Sequence, residues 1–224
     1  MIFITGDTHI PLDIEKLNDN FYEKQMMTKK DYLIICGDFG GVWDGSPERT
    51  RILSSLNRQR FTTLFIDGNH ENFHLLNQYP VMQWNGGLAH RIKSSIYHLM
   101  RGQVFTLQGK TFFTMGGGNS ADKMYRVPGI SWWAEEMPSE KEYQTARLNL
   151  KRVGQKVDYI VTHTAPLSVV RYFYEPDDER KLNEFLEEVK QTTDYKKWFF
   201  GHVHKDEEVD ERHVALYHKI LEVK

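Results

Sequence analysis

Asp31-Tyr32-Leu33-Ile34-Ile35-Cys36-Gly37-Asp38-Phe39-Gly40 runs apolar from Tyr32 to Cys36, stops at a glycine and continues at once into a carboxylate. A continuous apolar run of this length is the mark of a strand covered on both faces. Its ending matters as much, because a strand that closes on glycine and then a ligand residue delivers that side chain to the edge of a sheet. The same design stands on either side. Met1 to Thr5 alternates, is β-prone and ends at Gly6-Asp7-Thr8-His9, and Thr62 to Ile66 is a third strand that leads to Gly68-Asn69-His70-Glu71. Between the strands, Leu12 to Thr28 carries Ile14, Leu17, Phe21, Tyr22 and Met26 close to helical spacing. Ser46-Pro47 opens a second helix, through about Asn57, with proline in its first turn. A short helix over Glu71 to Gln78 follows the third strand. Strand–helix–strand–helix–strand predicts an α/β arrangement.

From Leu88 the pattern changes. Leu88–Ile92, Ser95–Met100, Gln103–Leu107 and Lys110–Met115 are short, closely spaced strand candidates with glycine at the turns. They read as a meander added to the first sheet or as a second sheet packed on it. Gly116 to Pro138 is irregular. Ser139 then starts a helix with a capping box, since Glu142 follows three residues later, and its apolar face runs Tyr143, Ala146, Leu150, Val153. Val157 to Thr162 is another buried strand, ending at Thr162-His163-Thr164. Asp177 to Gln191 is a helix with Leu182, Phe185, Leu186 and Val189 on one face. Lys197 to Phe200 leads into Gly201-His202-Val203-His204, and alternating strands finish the chain. With no repeat, low-complexity tract or linker, a single domain over residues 1–224 is expected, with an irregular cap or substrate segment at about 116–138.

At 224 residues the chain suffices for one large domain with a full core. Its 40% apolar and 27% charged residues are those of an ordinary globular protein, and a net charge of −2 gives no general reason to expect nucleic-acid or anionic-membrane binding. The single cysteine, Cys36, excludes an intramolecular disulfide and a thiolate-rich metal site, and its place in an apolar run marks it as a core residue. No apolar run approaches the roughly 20 residues of a membrane span. The N-terminus lacks a basic leader and its first strand already carries a ligand motif, so a cytoplasmic protein is expected.

Five clusters of oxygen and imidazole ligands thus follow five strands. Asp7 and His9 lie two apart on one strand edge and can face the same ion; His202 and His204 repeat that spacing. Asp38 and Asn69 offer further oxygens and His163 another imidazole. Seven ligands converging from separate strands predict a metal site, and a binuclear one. Nitrogen and oxygen donors without sulfur suit manganese, iron or zinc.

In kind and order these blocks resemble the calcineurin-like metallophosphoesterases, whose pattern is Asp-x-His, Gly-Asp, Gly-Asn-His-Asp/Glu, His and Gly-His-x-His. The match covers about residues 1 to 220. The resemblance implies an α/β (α+β) fold, with a central two-sheet β-sandwich flanked by helices, of the small single-domain type. It implies that Asp7, His9 and His204 hold one divalent metal ion, that Asn69, His163 and His202 hold a second, and that Asp38 bridges them. Manganese is the foremost expectation, with iron, zinc or a mixed pair as alternatives. His70 would face the scissile phosphate and assist the leaving oxygen, while a hydroxide between the metals attacks phosphorus in line.

One departure bears on substrate. Protein Ser/Thr phosphatases of this superfamily extend the second block to Gly-Asp-x-x-Asp-Arg-Gly, whereas Asp38 is followed here by Phe39, Gly40, Gly41 and Val42. The Asp that orients the histidine and the Arg that grips phosphate are absent, and Asp44 is the candidate replacement for the former. Substrate contacts are expected from the irregular stretch, where Asn119, Lys123 and Arg126 follow a glycine-rich turn. Trp132 and Trp133 either pack or stack on a base. The expected activity is metal-dependent hydrolysis of a small phosphomono- or diester such as a nucleotide, with nucleic acid disfavoured as a partner. A phosphoprotein phosphatase, a nuclease and a non-catalytic scaffold are the rival readings.

Overall fold

The computed structural model describes residues 1–19 and 21–224. In chain order the strands are β1 (Ile2–Thr5), β2 (Tyr32–Ile35), β3 (Thr62–Phe65), β4 (Val81–Trp84), β5 (Gly87–Lys93), β6 (Ile96–Leu99), β7 (Gln103–Leu107), β8 (Lys110–Met115), β9 (Tyr159–Thr162), β10 (Lys197–Phe200), β11 (Glu207–Glu208), β12 (His213–Ala215) and β13 (Ile220–Glu222). The helices are α1 (Lys16–Asp19), α2 (Pro47–Arg58), α3 (Phe73–Leu76), α4 (Glu140–Arg152), α5 (Leu167–Val170) and α6 (Arg180–Thr192).

The strands form two mixed sheets, ordered β13-β1-β2-β3-β6-β5-β4 and β11-β12-β10-β9-β8-β7. The meander therefore divides: β4 to β6 extend the first sheet, and β7–β8 open the second. Strand alternation sorts the core into layers. Ile2, Ile4, Ile34 and Leu64 point between the sheets, against Phe112, Val161, Phe199 and Val214. Phe3, Leu33, Ile35 and Phe65 face outward onto Leu53 and Leu56 of α2. Across the molecule, Phe113, Ile160, Trp198 and Phe200 meet Tyr143, Ala146 and Leu150 of α4 and Leu182, Phe185 and Leu186 of α6. Each central strand is thus sandwiched on both faces, which is why its sequence does not alternate.

Register positions the site. β1, β2 and β3 run parallel, with Thr5 opposite Ile35 and Ile35 opposite Phe65, so the segments after them leave the sheet at one level. In the second sheet Met115, Thr162 and Phe200 are paired in the same way. The ends of six parallel strands therefore open on a common edge.

Three helix expectations change. Leu12–Thr28 yields only α1 and a 3₁₀ turn at Tyr22–Gln25; Asn20 lies outside the described residues. The apolar spacing recorded burial of Leu17 and Phe21 under the sheet, while Tyr22 and Met26 remain exposed. The Lys16 ammonium is itself buried, donating to the carbonyls of Gly6, Asp7 and Tyr217, which ties this stretch to the sheet edge. The helix expected from Glu71 shrinks to α3, capped by Asn72, whose Oδ1 accepts Leu75 N at 3.0 Å. The helix expected from Asp177 starts at Arg180, because Glu179 turns its side chain inward.

Candidate metal centre and substrate cavity

The segments leaving β1, β2 and β3 deliver Asp7, His9, Asp38, Asn69 and His70, and those leaving β9 and β10 deliver His163, His202 and His204. The glycines before these residues are required by close approach. A Cβ on Gly68 would stand 2.1 Å from Asp38 Oδ1, and one on Gly201 2.1 Å from Asp7 Oδ1. The candidate ligand residues are strained in turn: His9, Asp38, His202 and His204 all adopt left-handed backbone, at φ of 35, 44, 66 and 49°. Non-glycine residues rarely do so, and such strain gathers where a site over-determines its side chains.

The side chains form two clusters sharing one carboxylate. In the first, donor atoms of Asp7, His9, Asp38 and His204 all lie within 4.8 Å of one another. His9 Nε2 is 3.1 Å from Asp38 Oδ2, and His204 Nε2 is 3.1 Å from Asp7 Oδ2. In the second, His163 Nε2 lies 3.3 Å from Asp38 Oδ1, 3.0 Å from Asn69 Oδ1 and 3.2 Å from His202 Nδ1. Asp38 therefore turns one oxygen to each cluster, and its Oδ1 also accepts His70 N at 2.7 Å.

Surrounding groups fix the rings. His163 Nδ1 donates to the Cys36 carbonyl at 2.9 Å, which leaves Nε2 free to bind. Asp13 Oδ2 accepts from His9 Nδ1 at 2.7 Å and from the Tyr217 hydroxyl at 3.2 Å, and the Tyr217 ring stacks on His204 with centroids 4.8 Å apart. Glu179 does the same for His202, its Oε2 lying 3.2 Å from Nε2. Glu71 Oε1 accepts Phe39 N at 2.7 Å and so braces the Asp38 turn. Asp13, Glu179 and Tyr217 were not singled out from the sequence. Asp13 carries a local signal, four residues after His9; Glu179 and Tyr217 carry none, because only the tertiary fold brings them to the site.

Charge fits a cation. Burial pushes the His9 imidazole down, but Asp38, Asp7 and Asp13 outweigh it and raise it to about 9. His202 is likewise raised to about 9, burial being outweighed by Glu179, Asp38 and Asp7. Burial alone would raise Asp38, yet the neighbouring imidazoles hold it well below the usual carboxylate range. Without a metal, the surrounding carboxylates thus favour the protonated forms of His9 and His202. Divalent ions could supply the same positive charge, and the oxygen and nitrogen donors are of the right kind.

A cavity of about 580 Å³ opens over the centre, lined by Asp38, Asn69, His70, Asn119, Arg126 and the segment Tyr174–Glu179. The Arg126 guanidinium spans His70, with Nη2 3.3 Å from Nε2 and Nη1 3.4 Å from Nδ1, and is held by Asp122 at 2.7 Å. Burial and this cation together hold the His70 imidazole below its ordinary range, against the opposing charge of Asp38. Lys123 pairs with Asp178 and donates to Asn119 Oδ1 at 3.1 Å. Asp44 does not orient His70: its carboxylate accepts Ser46 N at 2.8 Å and pairs with Arg49 at 2.7 Å, consumed by the turn that starts α2. Trp133 is buried, edge-on to Trp43 at 5.2 Å, and Trp132 is half-buried.

Similarity to known proteins bears on these groups. The family model of calcineurin-like phosphoesterases matches residues 1–206. Lariat debranching enzyme A of Xenopus laevis is 25% identical over 214 residues, covering 86% of this chain and 38% of the relative. The lariat debranching enzymes of Schizosaccharomyces pombe and Drosophila pseudoobscura pseudoobscura are 24% and 23% identical, with 83% and 86% of this chain matched to 45% and 40% of theirs. The chain thus spans less than half the length of these curated relatives. Among the described residues, no helix is long and apolar enough to cross a membrane.

Proposed function

Because the chain belongs to the calcineurin-like phosphoesterase family, a family dependent on a binuclear metal centre, we propose that it hydrolyses phosphate esters with two divalent metal ions, acting on a small phosphomono- or diester such as a nucleotide. The observation that carries this reading is the placement of Asp38 between two donor clusters, with His70 and Arg126 over their shared face. Asp7, His9 and His204 would hold one ion, Asn69, His163 and His202 the other, and Asp38 both. Manganese is the first choice for a nitrogen and oxygen donor set, with iron and zinc behind it. Such ions supply neutralising charge at the phosphoryl oxygens and activate water at neutral pH.

The protein's own groups do the rest. Arg126 lies where its guanidinium can grip a phosphoryl oxygen, a charge-assisted contact that orients the ester. His70, kept neutral at physiological pH by burial and Arg126, offers one N–H to the leaving oxygen. The cavity of about 580 Å³ suits a nucleotide-sized substrate. A debranching-type diesterase is the second reading, favoured by the names of the relatives. Glu175 and Asp178 on the cavity wall are already paired, the first with Arg171 and Arg180 and the second with Lys123. Wall charge therefore favours neither reading, and the nucleotide-like size of the cavity ranks the small ester first. A cytoplasmic setting belongs to the same proposal.

The test is turnover by metal-stripped protein, with and without added Mn2+, on p-nitrophenyl phosphate, its bis ester and a nucleotide panel. Asp38→Asn should abolish metal-dependent turnover. His70→Ala should lower kcat on nucleotides by about 10²–10⁴-fold, and far less on p-nitrophenyl phosphate, whose leaving group needs no help. Arg126→Ala should raise KM. If Mn2+ binds but no ester is cleaved, the scaffold reading takes first place.

A further inference from the structure

Glu179 stands just before α6, only 4% exposed, with both oxygens engaged. Its Oε2 faces His202 Nε2 at 3.2 Å and accepts Asn119 N at 3.3 Å. Its Oε1 accepts the Tyr174 hydroxyl at 2.6 Å and the Thr164 hydroxyl at 3.0 Å. These partners belong to different parts of the site. His202 turns its other nitrogen, Nδ1, toward the second donor cluster, 3.2 Å from His163. Asn119 and Tyr174 line the cavity from two segments, the irregular stretch after β8 and the loop between α5 and α6.

We propose that Glu179 is a positioning residue that couples the second metal site to the shape of the substrate cavity. This rests on the metal-dependent reading given above. A carboxylate on the far nitrogen of a ligand imidazole fixes the ring's orientation and strengthens it as a donor. Here the same carboxylate also holds a backbone N–H of one cavity wall and a hydroxyl of another. It cannot follow His202 without moving both walls, nor yield to a wall without turning His202. An ion that fixes His202 and an ester that orders the walls therefore favour one position of Glu179. Each should tighten the binding of the other, since such coupling is reciprocal.

The experiment is calorimetric titration of metal-stripped protein with Mn2+, set beside kinetics on p-nitrophenyl phosphate at rising Mn2+. In Glu179→Gln the first Mn2+ should bind as in the unaltered protein and the second about 10–100-fold more weakly. Saturating Mn2+ should restore most of kcat but leave KM raised, because the walls are still unheld. Tyr174→Phe, which removes only the wall hydroxyl and keeps the Glu179 carboxylate on His202, should leave the first metal step unchanged, weaken the second by less than Glu179→Gln does, and raise KM several-fold. Unchanged second-site affinity in Glu179→Gln overturns the proposal, as does a KM that returns to normal at saturating Mn2+. Should Glu179→Gln not fold, Glu179→Asp, which draws the carboxylate back by one methylene, carries the same titration. If the unaltered protein binds two Mn2+ but cleaves nothing, the catalytic reading fails while the titration still decides the metal arm.

Discussion

His90 and His98 illustrate how a single residue is read differently once folded. Their Nδ1 atoms meet at 2.9 Å, the rings stack nearly parallel, and His98 Nε2 reaches Asp67 Oδ1 at 2.9 Å, one residue before the Gly68-Asn69-His70 block. The other oxygen of Asp67 binds Arg101, which also holds the carbonyls of Glu135 and Glu136. This buried network supports the turn carrying Asn69 and His70 from behind. Burial, then the charge of His98, pushes the His90 imidazole down to about 4, against the pull of Asp67. A base whose folded pKa lies below its unfolded value binds more protons when unfolded, so stability falls as pH drops from about 6.5 toward about 4. Urea midpoints of the metal-free protein should decline across that window, and His90→Asn should flatten the decline. An equally steep slope in His90→Asn would remove this account. Nothing in the sequence separated these histidines from surface ones, because their pairing exists only across the β5–β6 register.

At the scale of elements, local signals proved reliable where the cause was local. Ser139 and Glu142 form the expected reciprocal cap, Glu142 Oε2 accepting Ser139 N at 2.7 Å and Ser139 Oγ accepting Glu142 N at 3.4 Å. Ser139→Ala should therefore cost about 1 kcal/mol, readable as a lower urea midpoint with an unchanged slope. The buried strands were legible for a similar reason, since a strand covered on both faces must be apolar throughout. Where tertiary contacts set the conformation, the sequence misled or was silent. The stretch around α1 has helical spacing, but Lys16 is drawn to three carbonyls at the sheet edge. β4 was missed because its side chains are exposed or half-buried on the outer edge of the first sheet, which leaves little apolar pattern. Of the site, the blocks carrying Asp7, His9, Asp38, Asn69, His163, His202 and His204 stood out because each follows its strand directly. Asp13 shows only its spacing of four residues from His9. Glu179 and Tyr217 act on His202 and His204 from positions distant in the chain or set only by the fold, and no spacing rule reaches them.

For the molecule as a whole, the proposed ligands are shared between the two sheets: Asp7, His9, Asp38 and Asn69 come from the first, His163, His202 and His204 from the second. Ions bound there would favour only the state in which the sheets are packed together. At a hundredfold excess over its dissociation constant a ligand adds about 2.7 kcal/mol. For a chain of this size that corresponds to a rise of roughly 5–10 °C in Tm. Scanning calorimetry with Mn2+ and then with excess chelator should show that rise and its reversal. A Tm indifferent to Mn2+ would count against the centre.

The same division has a consequence for how the chain is made. A nascent chain that has emerged through β8 carries only four of the seven donors, all from the first sheet, and no imidazole for the second site. His163 arrives with β9, and His202 and His204 only after β10 has paired beside it. The proposed centre would therefore be completed late, and its loading with metal would report that both halves of the sandwich have been synthesised and joined. A chain truncated before Gly201 could build most of its strands and still never acquire the signature of a finished protein.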